Sequence, residues 1–396
     1  MIEIWLIEAA KGVGRLFLNP LVYWSFILVI LAGYRRIKQE RLDFGFKIFD
    51  VFSEWKGTLR FAIISGIILS LVTLGAGMVF HYETLLLLSI VVILLSITMR
   101  FTMLSAVYTI GITYLLLLFM PFILENQSLL SKELFSEANF TALSILIGLL
   151  LIVEAIMIGR IHRNRTFPSL ALSNRGIWIG QARLKKMTII PFFSLIPVGS
   201  LPPMDGVWPY LTINGESYGL VLFPLIIGFD YIAKGSMPMQ AAQKLAKYIA
   251  LFGVILTGLA IGSIFISWLS LVVVVLAIVG KEYLNYRFRN GERLRVPYFH
   301  PENEGLKILS IIPNTPADRL DLLVGETISK VNGIRVSNVK QFYLALHNSG
   351  AYFKLDVLDD AGEVRFVQGA LYEGDHHELG LVFAERPHRE KMKKVN

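Results

Sequence analysis

From about residue 17 to residue 280 the chain is a succession of apolar runs, each near the length needed to cross a hydrocarbon core of roughly 30 Å. No other feature restricts the fold as much. In lipid every backbone polar group must be satisfied internally, so such runs predict helices packed against one another. Candidate spans are about 17–34, 59–80, 83–99, 101–123, 140–159, 187–204, 217–233, 246–262 and 265–280, giving about eight or nine crossings. Residues 248–280 as one helix would measure about 50 Å, too long for one crossing, which predicts a hairpin turning near Gly262-Ser263. Composition agrees: 54% of the 396 residues are hydrophobic and 17% charged, outside the soluble range. Residues 281–396 return to soluble composition, so the chain divides into a membrane part and a tail. The first apolar segment follows Lys11 and Arg15 and ends ILAGYRR without a small-residue cleavage pattern, so it reads as a retained span.

Loop charge sets the expected orientation, because Lys and Arg accumulate on the cytoplasmic side. Residues 35–56 carry six basic residues, residues 160–186 seven without an acid, and residues 234–247 three. The alternate loops hold one lysine among them and include the acidic LENQSLLSKELFSEAN and the Asp205/Glu216 loop. This reading places the tail after Lys281 in the cytoplasm.

The stretch LPPMDGVW (201–208) raises the question of chemistry, since a Pro-rich turn and Asp-Gly inside a membrane suit the site-2 class of intramembrane metalloproteases. Such an enzyme also needs two histidines in H-E-x-x-H to hold zinc. The seven histidines here, His81, His162, His300, His347, His376, His377 and His388, form no such motif, and a chain without cysteine has no thiolate ligand to offer. Residues 191–224, rich in proline, read as a broken helix and tight turn. Glu154 and Asp230 are the ionisable residues within or beside spans. Glu154 stands about one and a half turns from Arg160, close enough to pair with it or to reach the interface. No G-x-S-x-G, Walker loop or dinucleotide fingerprint occurs. The expectation is a protein that is not an enzyme and uses no cofactor.

The tail reads GLKILSIIPNTPADRLDLLVGETISKVNGIRV over 305–336: an apolar strand, a short helix opened by Thr315 and Pro316, a second strand, and an Asn-Gly turn. Residues 338–350 read as a compact helix, and FKLDVLD and EVRFVQG as strands joined at Asp360-Ala361-Gly362. The apolar strand, Pro-x-x-Pro-Ala and Gly-Glu-x-Ile-x-x-Val-Asn-Gly resemble a PDZ domain of the bacterial type, with Glu326 in place of the usual Asp and Leu320-Asp321-Leu322 in place of Ala-Gly-Leu. That resemblance implies peptide binding by strand addition, with a loop of backbone N–H groups capturing a terminal carboxylate. The best match to the loop is Leu379, Gly380, Leu381, Val382 and Phe383, with Val339, Phe342 and Leu346 of the helix lining the pocket; an ordinary last strand with a glycine bulge is the other reading of the same residues.

The expected class is thus a polytopic α-helical membrane domain (1–280), a basic juxtamembrane linker (281–295), a small α+β PDZ domain (296–388) and a basic tail (389–396). The basic loop presents Arg160, Arg163, Arg165, Arg175 and the run Arg183-Leu184-Lys185-Lys186 to anionic lipid at the inner leaflet or to an acidic partner. Nucleic acid is not expected, for want of an aromatic platform. With RLFLNPLVYWS, GYRRIKQER, IFDVFSEWKG and the single C-terminal domain, the whole chain resembles the MinJ family of the Min division-site selection system. The resemblance implies a non-enzymatic adaptor, enriched at septum and cell poles, that links a DivIVA scaffold to the ATPase MinD. A membrane regulator of proteolysis or secretion is the alternative.

Overall fold

The computed structural model describes residues 2–123, 138–173, 175–203, 208–211, 217–301, 304–348, 350, 352–370 and 379–389. Six helices come first: α1 (Ile2–Leu16), α2 (Pro20–Phe44), α3 (Leu59–Gly75), α4 (Tyr82–Ser96), α5 (Ala106–Ile123) and α6 (Phe140–Gly159). Their ends obey local chemistry. Asn19 accepts a hydrogen bond from the Leu21 N–H and Pro20 fills the first helical position of α2, while Asn139 accepts from the Ala142 N–H to open α6. Helix α6 is the central element, the most buried of those long and apolar enough to cross a bilayer.

Next come β1 (Phe167–Leu172), β2 (Trp178–Leu201) and β3 (Tyr218–Ala233), then α7 (Pro238–Gly262) and α8 (Leu269–Leu294). Segments 187–204 and 217–233, expected as membrane helices, are instead the two arms of a long antiparallel hairpin paired from Ala182↔Ala233 to Leu201↔Tyr218. The reason lies in their residues. Pro191, Pro197 and Pro224 break a helix interior, and the Ile- and Phe-rich stretches between them suit a strand. Because most of the hairpin is buried on both faces, its apolar run is nearly continuous and does not alternate, which imitates a span in sequence. Pro191 and Pro224 stand directly opposite each other, so both missing donors fall at one rung.

The outer edge of β2, beyond the short β1, finds its hydrogen bonds among its neighbours, as buried backbone must. Ser70 Oγ accepts from the Phe193 N–H (2.8 Å), Thr73 Oγ1 donates to the Phe193 carbonyl (2.5 Å), and the chain at Met78–Phe80 exchanges bonds with Leu195. Helix α3 comes this close because Gly66 has no side chain: a Cβ there would strike the Pro191 carbonyl. The same device joins α6 to α7, where a Cβ on Gly148 would collide with Thr257.

Helices α2, α6, α7 and α8 are long and apolar enough to cross a membrane, with α3, α4 and α5 as shorter apolar helices. The chain turns between Gly262 and Leu269, making 238–294 a helical hairpin. Residues 281–295, expected as a linker, continue α8 to Leu294.

The C-terminal unit contains β4 (Leu306–Ile311), α9 (Pro316–Arg319), β5 (Thr327–Val331), β6 (Ile334–Arg335), α10 (Val339–His347), β7 (Tyr352–Leu358), β8 (Val364–Ala370) and β9 (Leu381–Phe383). Its antiparallel sheet runs β8-β7-β5-β4-β9, with β6 on β5. Ile308, Leu309, Ile328, Phe342, Leu346, Phe353 and Leu355 form its core.

Candidate partner-binding site

The residues expected to bind peptide converge at one end of this sheet. Leu379 and Gly380 take consecutive left-handed conformations, φ +55° and +82°, at the entry to β9. Their carbonyls face inward, Leu379 accepting from the Ala317 N–H (2.9 Å) and Gly380 from the Ile312 N–H (2.8 Å). A Cβ on Gly380 would strike Thr315, so glycine is required there by φ and by space. Strand β9 lies at the sheet's edge, paired only to β4 among the described residues. Helix α10 opens with Asn338 accepting from the Gln341 N–H, and sets Phe342 against Phe383 with ring centroids 5.4 Å apart. Leu379, Leu381, Val382, Phe383, Val339, Phe342 and Leu346 are all buried. Helix and strand are therefore closed on each other. Beside them Glu385, exposed overall, accepts from the Val339 N–H, and partial desolvation raises its carboxyl above the ordinary range.

The basic residues of 160–186 are not a free loop. Arg160 lies over the Phe61 ring, 5.3 Å from its centroid. Arg163 grips Asp360 with two bonds of 2.6 Å and also donates to the Val324 carbonyl. Its neighbour Asn164 donates to the Leu322 carbonyl and accepts from the Val324 N–H. Arg183 pairs with Asp230, Lys185 lies over the Phe101 ring, and Lys186 donates to the Ser53 carbonyl, with Leu184 buried between them. Burial pushes both lysine ammoniums down to about 8. Arg175 remains exposed at the β1–β2 turn, and Arg165 borders a small cavity under Ile312.

The junction between the two halves has no local signature in the sequence. Besides the Arg163 and Asn164 contacts, the Gly180 N–H donates to the Phe299 carbonyl (2.9 Å), and Gly180 leaves room for Leu309 to pack against the strand. The His388 and Arg389 N–H groups donate to the carbonyls of Asp43 and Leu42 at the end of α2. Glu154 also has a different partner from the one expected. Lys281 of α8 meets it at 2.6 Å, both fully buried, and Ser105 donates to its other oxygen at 2.5 Å. The available signal was a second charge of opposite sign, Lys281, at the end of an apolar run. Asp205 and Glu216 lie outside the described residues, and among those described no group of His, Asp and Glu is arranged to hold a metal ion.

The stretches GYRRIKQER and IFDVFSEWKG meet physically. Arg36 donates to Glu40 (2.6 Å) and Glu54 (2.9 Å), and Glu40 Oε2 accepts from the Ile48 and Phe49 N–H groups. Phe167 stacks under the Arg36 guanidinium, 4.6 Å away.

Apolar helices able to cross a bilayer, with a β-rich head docked on their basic end, define a membrane-type protein carrying a folded C-terminal unit. No family model matches the chain. The cell division topological determinant MinJ of Bacillus subtilis (strain 168) is 35% identical over 382 residues, 96% of each chain. The probable cell division topological determinant MinJ of Lacticaseibacillus paracasei is 22% identical over 258 residues, 63% of this chain and 67% of that one. By the first of these matches, the chain belongs to the MinJ family.

Proposed function

We propose that this protein is a non-enzymatic, multi-pass membrane adaptor of division-site selection. The observation that carries the reading is the likeness to a cell division topological determinant over nearly the full chain, helices and C-terminal unit together. In this reading the C-terminal unit is a cytoplasmic PDZ domain, and the protein bridges a DivIVA-like scaffold to a MinD-like ATPase at septum and poles. The edge position of β9 and the left-handed pair Leu379-Gly380 support peptide recognition by strand addition. A peptide entering there displaces the Phe342–Phe383 contact, so binding is coupled to movement of α10.

The test is the position of a fluorescent fusion in dividing cells, combined with co-purification of both partners. Signal at septa and poles, with both partners retained, is expected. Uniform membrane signal and neither partner retained would favour the regulator of proteolysis or secretion.

A further inference from the structure

The α7–α8 hairpin carries its own markers of depth in a bilayer. Its apolar outer face exposes Leu251, Val254, Ile255 and Val279, and it is bounded by Trp268 at the turn and by Tyr248, Tyr283 and Tyr286 at the other end. Trp268 to Tyr286 spans about 27 Å along the helix axis, close to the roughly 30 Å hydrocarbon thickness. Tyr and Trp settle at the headgroup level, so these rings mark the two boundaries.

From that tyrosine level onward, α7 and α8 line a cavity of about 420 Å³. Leu245, Tyr248, Leu284 and Phe288 form its apolar walls, and Lys244 and Arg287 stand on its rim. Arg287 rests over the Tyr248 ring at 5.4 Å. Among the described residues neither cation forms an ion pair. The carboxylate of Glu292, at the back, is already engaged: it accepts from the Lys234 and Gly235 N–H groups (2.9 Å each) and from Ser236 Oγ (2.7 Å). Arg295, which donates to Ser236, also pairs with Glu292 at 3.9 Å and balances that carboxylate, so the net charge of the lining comes from Lys244 and Arg287. The cavity thus has a net positive rim and apolar walls, and Tyr248 belongs both to those walls and to the ring level that bounds the exposed apolar stripe.

We propose that this cavity binds the headgroup of an anionic phospholipid, with Lys244 and Arg287 holding the phosphate and the acyl chains lying along the exposed faces of α7 and α8. The two unpaired cations supply complementary charge at the depth where a lipid phosphate sits. The walls accept the glycerol and the first methylenes, which a soluble anion lacks. The site is separate from the basic residues of 160–186, most of which are engaged within the protein.

The experiment uses the full-length protein purified in a neutral detergent. Native mass spectrometry reads lipid retention with phosphatidylglycerol or phosphatidylcholine, and inorganic phosphate serves as a competitor. Phosphatidylglycerol is expected to be retained in preference to phosphatidylcholine and to resist millimolar phosphate. The Lys244→Gln/Arg287→Gln variant should lose retention by about tenfold or more, because each basic residue near an anionic headgroup contributes appreciably. Lys247→Gln, one turn away on the exposed face and outside the cavity, should retain the lipid as wild type does. Lys244→Glu provides a second test by charge reversal and should abolish the preference. Equal retention of both lipids, displacement by phosphate alone, or unchanged retention in both cavity variants would overturn the proposal.

Discussion

At the residue scale, one glycine and one ion pair carry consequences out of proportion to their size. Gly380 combines positive φ with a closed space against Thr315, whereas Gly362 has positive φ and nothing near a would-be Cβ. Gly380→Ala should therefore destabilise the C-terminal unit more than Gly362→Ala, whose cost is backbone strain of about 1 kcal/mol. Thermal unfolding of the two variants compares them, and equal shifts would refute the steric argument. The Glu154–Lys281 pair behaves differently. Lys281→Met leaves a buried carboxylate uncompensated and should cost roughly 3–5 kcal/mol, while Lys281→Met with Glu154→Leu should recover most of that. Unfolding in detergent is the measurement, and a double variant as unstable as the single would contradict it.

At the scale of elements, the hairpin β2–β3 explains both what sequence reasoning captured and what it missed. The turns at Gly262 and the α10 helix follow from local periodicity and capping, which a reader of the chain sees directly. The strands do not, because an interior strand and a membrane helix present the same unbroken apolar run; only Pro191, Pro197 and Pro224 told against a helix. Val339, Phe342 and Leu346 are legible as an apolar helical face, but a face gives no information on whether it is open or already packed. Junction residues such as Arg163 and Asn164 were invisible for a further reason: each pairs with a group about 160 or more positions away in the chain. The edge of β2 offers a direct test at this scale. Ser70→Ala with Thr73→Val removes the hydroxyls that satisfy the Phe193 N–H and carbonyl. Faster amide exchange at Phe193, with a loss of about 1–3 kcal/mol, is the expected result. Protection equal to wild type would mean that the edge is satisfied otherwise.

At the scale of the whole molecule, the C-terminal unit has a core of its own, drawn almost entirely from residues 299–383. A fragment of residues 296–389 should unfold cooperatively in solution, and a broad, non-cooperative melt would count against an independent core. In the intact chain the unit is held by Arg163, Asn164 and the Phe299 strap. Arg163→Ala/Asn164→Ala should leave both halves folded yet open the junction, seen as increased proteolysis and amide exchange around residues 322–325. Unchanged protection there would show the clamp to be dispensable.

That clamp bears on what a bound partner would experience. A head on a loose tether samples every orientation, and a partner that docks to it must freeze that motion as well as its own. Here the sheet leaves the helices at a fixed angle set by Arg163 on Asp360 and by Phe299 on Gly180, so the orientational entropy is already lost on folding. The edge strand β9 is consequently held at one height and one azimuth. Under the proposed function, a partner recruited there would arrive aimed, with its own approach to the membrane set by the geometry of the junction.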